Sequence, residues 1–328
     1  MIYVTFKESH RDLKTQKIPD MFPISNHVKM PAEYLQKNGA KIMFNEDFFQ
    51  DEFLKTVKKE DILIVWIGLD NDSQIRKIKN LKCRKILRNI DVAKVDKVLF
   101  KSEINLFEDN CFDEILLCYP SLKHASFLKE RKIDSISYPH LLDFKNRKDY
   151  KSISKKCDII GTGQMAEASY PVRYKILNML CNKENIESLK YTIQYLPHPG
   201  WGSSKSSMRH NFINNKYIEF LSEYKMGITC SGNLDSMYMK HLEMAMAYTL
   251  PIGENISYMP KDAKDSMIIY DRFKSDRDFI LEVNRVLKNQ KELDERTMTY
   301  SNKMSEFFEI EEGTKAVIKR IKNREYIC

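Results

Sequence analysis

Between Tyr224 and Glu254 the chain carries, at helical spacing, Ser236, Lys240, Glu243 and Ala247 on one stripe and Leu242, Ala245, Met246 and Thr249 on another. The second stripe can pack beneath a sheet. The first presents a cation and an anion beside a helix N-terminus, whose free amides and dipole attract anionic groups. The same spacing also suits an ordinary surface ion pair, and spacing alone does not choose between the two. Ser231, Gly232 and Asn233 are turn formers, so a strand over Met226–Cys230 is expected to end there. Asp235 or Ser236 is the expected N-cap of a helix running from about Ser236 to Tyr248. Pro251 falls in the strand that follows and is expected to weaken it or to stand at its start.

Other residues could join such a site. Gly161, Thr162 and Gly163 end an apolar run and read either as a plain turn or as a close backbone approach to a phosphate. Arg173 has the planar, permanent charge that suits a diphosphate, or is a helix-surface arginine. His198, in Leu-Pro-His-Pro-Gly-Trp, either borders a nucleotide base or is a structural loop histidine. His10 and Glu8 follow the first strand, on the edge where sites open in such sheets; a base there could deprotonate an acceptor hydroxyl, or His10 is an ordinary polar loop residue. Asp70 and Asp72 form an Asp-x-Asp after an apolar run; they read as hard-oxygen ligands for a metal ion or, with Asn71, as a helix-capping turn.

The wording of the central stretch adds to its spacing. Asp235, seven intervening residues and Glu243, followed by Met-Ala-Met-Ala-Tyr-Thr-Leu-Pro-Ile, resembles the acidic-x7-Glu donor motif of retaining group 1 glycosyltransferases. The Lys-x-x-Glu core at Lys240 and Glu243 is similar to the variant in the spore-maturation-protein branch and in bacterial α-1,3-fucosyltransferases. Asp158 to Gly163 followed by Ser169 to Arg173 looks like the opening of the donor domain in that branch. The resemblance is specific from about Cys157 to Pro260. It implies a nucleotide-sugar donor site made of Gly161, Thr162, Gly163, Arg173, His198, Ser231, Gly232, Asn233, Ser236, Lys240 and Glu243, with Glu243 on the ribose and Lys240 on the diphosphate. Asp235 and His10 are the catalytic candidates that go with it. Asp235 is one methylene shorter than the usual Glu, and Thr249 is read as standing where the family has Gly.

These residues need a frame. At 328 residues the chain is long enough for two domains, and 42% hydrophobic with 30% charged residues is the balance of a soluble globular protein. No run of 18 apolar residues exists, and the N-terminus enters strand-like alternation without a signal peptide. Seven cysteines with no Cys-x-x-Cys argue against a disulfide framework or structural zinc and for a reducing cytoplasm. The formal charge is +8, and ten Lys or Arg against three Asp between Asn71 and Lys101 form either a solvated face or a patch for an anionic partner. Nucleic acid is not expected, because exposed aromatics are not interleaved with these cations.

Strands alternate with helices throughout. The expected strands are Ile2–Phe6, Lys41–Phe44, Ile62–Ile67, Lys85–Ile90, Glu114–Cys118, Ser135–Tyr138, Cys157–Ile160, Tyr191–Leu196 and Met267–Tyr270, besides the two of the central stretch. Between them fall helices, among them 46–58, 73–81, 121–132, 170–181, 214–224, 276–288, 294–308 and 311–324. The polar stretch from Phe144 to Lys156 reads as a linker. The fold class is therefore α/β, two Rossmann-like domains facing a cleft, the GT-B architecture that the resemblance implies. Domain limits are expected at 1–145 for the acceptor half and 146–310 for the donor half, with a helix over 311–328 crossing back.

The expected activity is transfer of a sugar from a nucleotide-activated donor to a hydroxyl of a glycan or lipid-linked acceptor, as in surface polysaccharide synthesis. Cations and a helix N-terminus would replace a metal, leaving no cofactor beyond the nucleotide-sugar co-substrate. Cytoplasmic placement with peripheral contact at the anionic inner membrane face is the expectation for location. Two alternatives stand beside it: a metal-dependent transferase using Asp70 and Asp72, and a catalytically silent scaffold that binds a glycan or a protein.

Overall fold

The computed structural model describes residues 1–7, 29–66, 69, 71–89, 105–118, 121–168, 170–182, 191–198, 212, 214–232 and 235–327. The chain divides into two compact units, Met1–Leu141 with Ile310–Cys328, and Leu142–Glu309.

The first unit is built on six parallel strands: β1 Ile2–Phe6, β2 Ala40–Phe44, β3 Ile62–Trp66, β4 Arg84–Asn89, β5 Glu114–Leu117 and β6 Asp134–Ser137, in the order β2-β1-β3-β4-β5-β6. The continuous apolar run of β3 suits its central place, since a parallel strand is covered on both faces. Leu63, Val65 and Tyr3 pack with Phe48, Phe49 and Ile78 on one face. The closing helix Ile310–Asn323 belongs to this unit: Arg84 donates to the Ile321 carbonyl and holds Glu114, and Gly313 lies against Leu141.

The second unit has five parallel strands, β7 Cys157–Gly163, β8 Ile193–Pro197, β9 Tyr224–Ile228, β10 Leu250–Gly253 and β11 Ile268–Ile269, ordered β11-β10-β9-β7-β8. The order reverses between β7 and β9, and at such a point the loops beyond the strand ends part to leave room for a ligand. Helix Pro171–Cys181 follows β7, helix Asn214–Leu221 precedes β9, and helix Met239–Met246 joins β9 to β10.

Several expectations shift. The predicted 46–58 helix is two short ones, Asn45–Phe48 and Asp51–Leu54. Helices Met30–Lys37 and Lys261–Ser266 were not foreseen. Pro251 does not open its strand: it pairs with Gly227 in an interior position, one residue after the strand begins. The polar 144–156 stretch packs into the second unit, where Tyr150 is buried and Arg147 stacks 4.4 Å over Tyr248.

Three cations of the basic stretch are paired with carboxylates within the first unit, and two more are buried. Lys77 meets Asp51 at 2.7 Å, Lys79 meets Asp109 at 3.4 Å, Arg84 holds Glu114, Lys85 is buried, and Arg88 is buried 3.9 Å from the Trp66 ring centroid. Among its described residues only Arg76 and Lys82 are exposed cations outside an ion pair, and residues 90–101 lie outside the described residues. No helix among the described residues is long and apolar enough to cross a membrane.

Candidate donor site

The carboxyl end of β7 gathers the candidate cations. Gly163 has φ +96°, a conformation that favours glycine, and a Cβ there would lie 3.0 Å from Arg173 Nη1 and 3.0 Å from Lys240 Cε. A Cβ would press on both groups, which would have to give by a few tenths of an ångström. Arg173, at the head of its helix, is buried, donates through Nη1 to the Gln164 carbonyl at 3.3 Å, and stacks 4.5 Å from the Tyr170 ring centroid. Its Nε is buried with no hydrogen-bond partner among the described residues. Such an orphaned charged donor costs folding free energy unless something outside the chain accepts from it.

Lys240 does not make the surface pair that its spacing allows. Its ammonium turns inward, donating to Thr162 Oγ1 at 3.0 Å and to Tyr217 Oη at 3.1 Å, while those two oxygens bond each other at 2.7 Å. Burial pushes its pKa down to about 8, Arg173 adds to the shift, and Glu243 opposes it. Glu243 lies one helical turn on, its carboxyl pushed up to about 7 by burial and held back by Lys240. Among the described residues Glu243 forms no ion pair, and Lys240 is the cation that acts on its charge.

The helix itself starts three residues later than spacing suggests. Asp235 and Ser236 do not cap it; Tyr238 holds the cap position and no side chain caps the amides. The Ser236 amide bonds the Ser231 carbonyl at 3.2 Å, and Asp235, with φ +53°, turns its carboxylate to the Ser257 amide at 3.0 Å and to the Ser257 hydroxyl. Turn formation has therefore taken up both capping candidates. At the other end the left-handed residue is Tyr248, φ +50°, not Thr249. Thr249 N bonds Met244 O at 3.0 Å, the closure that follows a left-handed residue, and its hydroxyl donates to Leu221 O at 2.7 Å.

The remaining candidates divide. Thr162 belongs to the cluster through Lys240. Gly161 lies farther back, where a Cβ would meet Leu177 at 2.9 Å, so its smallness serves helix packing. Ser231 and Gly232 form the turn beyond β9, with Gly232 at φ +63° against Tyr238. His198 is half-buried directly after β8, at the same sheet edge. His10, Glu8, Asn233 and Asp70 lie outside the described residues. Asp72 opens a helix whose N-cap is Asn71, accepting from Gln74 N at 3.0 Å, which is the capping alternative for that motif. Among the described residues no three His, Cys, Asp or Glu are placed to hold a metal ion.

Three residues escaped sequence reasoning. Tyr217 supplies the oxygen beneath Lys240, and Tyr195 donates to the Gly163 carbonyl at 2.6 Å, fixing the turn. Glu254 follows β10 and accepts from the Ser231 amide and hydroxyl, both at 2.8 Å. For Glu254 a signal existed, since the first residue past a parallel strand lies on the edge where sites open.

No protein-family model matches this chain, and no curated protein does. Solved structures do match by fold. Sucrose-phosphate synthase from Thermosynechococcus elongatus superposes with a TM-score of 0.61 at 10% identity, over 98% of each chain. HepE from Anabaena, solved with UDP-glucose, gives 0.59 at 6% identity, over 98% of this chain and 99% of that one. TarM from S. aureus, solved with UDP, gives 0.53 at 13% identity; the match covers 85% of this chain but 57% of TarM. The fold is that of the GT-B glycosyltransferases, two parallel α/β sheets flanked by helices.

Proposed function

We propose that this protein is a glycosyltransferase whose second unit binds a nucleoside-diphosphate sugar and whose product is a glycosylated hydroxyl. The observation that carries the reading is the convergence of Arg173 and Lys240 on the bare Gly163 turn, with Arg173 Nε buried and unpartnered. Two cations beside one another repel, and Glu243 is the counter-charge that most offsets this at Lys240. A diphosphate relieves that repulsion and supplies acceptors for the orphaned donor. UDP in the related folds of HepE and TarM supports the same ligand class.

As the bond from the sugar to the diphosphate breaks, negative charge gathers on the leaving phosphate oxygen. Arg173 and Lys240 are fixed before the reaction by Tyr170, Thr162 and Tyr217, so they offset that charge without reorganising. Glu243 accepts from the ribose hydroxyls. The resemblance assigns Asp235 to the sugar, although its carboxylate is bonded to the Ser257 amide and hydroxyl, and His10 is the base for the acceptor hydroxyl if the reaction inverts. No metal or further cofactor enters this proposal. The finer reading follows the Lys-x-x-Glu resemblance to the spore-maturation and fucosyltransferase branch, with a growing surface glycan as acceptor, a cytoplasmic location and weak contact with anionic lipid.

Calorimetric titration with UDP and GDP tests the donor site. One of them is expected to bind in the presence of EDTA, and Glu243→Gln to weaken it by about tenfold or more through loss of a charge-assisted hydrogen bond. Binding that needs manganese would favour the Asp70 and Asp72 alternative, and no binding of either nucleotide would remove the donor-site reading.

A further inference from the structure

Beyond the cations, the same sheet edge carries two carboxylates that the diphosphate does not need. Glu254 is half-buried just past β10, with Oε2 fixed by the Ser231 amide and hydroxyl, both at 2.8 Å. Its other oxygen takes no hydrogen bond among the described residues. Burial raises its pKa, the two Ser231 donors oppose that, Asp235 raises it further and Arg173 lowers it. Glu254 is thus within charge range of both Asp235 and Arg173.

Charge sorts what can lie at each end. A diphosphate drawn to Arg173 and Lys240 is repelled by Glu254 and Asp235, so the group adjoining the carboxylates must be neutral and rich in hydrogen-bond donors. A sugar attached to that diphosphate meets both conditions. The buried Arg173 Nε, still without an acceptor, independently marks this edge as a ligand site.

On the reading that this is the donor site, we propose that Glu254 is a specificity-determining residue: its free oxygen accepts a hydroxyl of the donor sugar, and its charge restricts the enzyme to neutral sugars and rejects uronates. Ser231 is then a positioning residue that aims the carboxylate.

The test titrates the full chain with UDP, UDP-glucose and UDP-glucuronate, and with GDP, GDP-mannose and GDP-mannuronate. The wild type is expected to bind the neutral sugar of its preferred nucleotide about tenfold or more tighter than the uronate. Glu254→Gln should leave the free diphosphate within about twofold, weaken the neutral nucleotide-sugar about tenfold, and narrow the preference against the uronate. Glu254→Asp, which keeps the charge but retracts it by a methylene, should lose affinity for the neutral sugar while retaining the discrimination. Unchanged affinities in both variants overturn the inference, as does a wild-type preference for the uronate. An equal loss for free diphosphate and nucleotide-sugar also overturns it, showing that Glu254 only supports the Ser231 turn. Failure of the wild type to bind either free diphosphate overturns the donor-site reading itself, and is told apart because it appears before any variant is made.

Discussion

Lys240 sits below its ordinary pKa, at about 8, because burial and Arg173 both penalise its charge. A lysine whose pKa is lower folded than unfolded contributes stability above the unfolded value and loses it as pH falls through the folded one. Between pH 8 and about 10.4, the ordinary lysine value, the contribution of Lys240 to the stability of the ligand-free second unit should therefore rise with pH. Lys155, also pushed down to about 8 by burial, works in the same direction. Nucleotide binding should move the opposite way, since an anion prefers the protonated ammonium. Affinity should fall above pH 8 by up to about tenfold per pH unit, and Lys240→Met should flatten that dependence while weakening binding throughout. Melting curves with and without the bound nucleotide, from pH 7 upward, read both trends. Parallel trends would mean that Lys240 does not meet the ligand. The type and spacing of Lys240 and Glu243 were legible in the sequence because helical periodicity is local. Tyr217, which bonds Lys240 from another helix 23 residues away, was not.

The helix Met239–Met246 and the turn that closes it are held by groups from distant parts of the second unit. Lys155 donates to the Tyr248 carbonyl at 2.7 Å, Ser301 to Ala245 O at 2.8 Å, and Tyr300 to His241 O at 2.9 Å. A cation there offsets the helix dipole, and rigid carbonyls fix the direction in which Lys240 and Glu243 project. Tyr248 takes the left-handed position that closes this helix, at a cost of about 1–2 kcal/mol for a residue with a Cβ. That predicts an inverted ranking. Both Tyr248→Ala and Tyr248→Gly lose the ring under Arg147, but only Gly escapes the backbone penalty, so the Gly variant should be the more stable by about 1 kcal/mol in denaturant unfolding. An Ala variant of equal or greater stability would mean that Tyr248 is not left-handed in solution. The sequence reading set the family's Gly against Thr249, and the left-handed residue of this chain is the one before it, Tyr248, because capping depends on which carbonyl each amide reaches. It likewise set β9 at Met226–Cys230, whereas pairing of Tyr224 with Cys157 across to β7 starts the strand two residues earlier.

At the scale of the chain, the alternation of strands and helices was legible because parallel strands are buried on both faces and leave continuous apolar runs such as Ile62–Trp66. The placement of the last residues was less so, since an amphipathic helix does not state what it covers. Helix Ile310–Asn323 buries Ile310, Val317, Ile318 and Ile321 within the first unit, and beyond it the Ile327 amide bonds Ser135 O at 2.8 Å and Tyr326 donates to Glu114 at 3.0 Å. Removing residues 310–328 uncovers the faces that those four aliphatic side chains fill. At about 1.5–3 kcal/mol each, the loss is about 6 kcal/mol or more, comparable with the whole stability of an ordinary domain. The Arg84 and Glu114 pair, buried beneath the helix, loses the Ile321 carbonyl as well. Truncation should therefore abolish hydrogen-exchange protection in β4, β5 and β6 while leaving β7, β9 and β10 protected. Nucleotide should still stabilise the second unit, because Gly163, Arg173, Lys240 and Glu243 all lie within Leu142–Glu309. Equal loss of protection in both sheets would show that the second unit depends on the first for its folding, and that the donor site is not a property of Leu142–Glu309 alone.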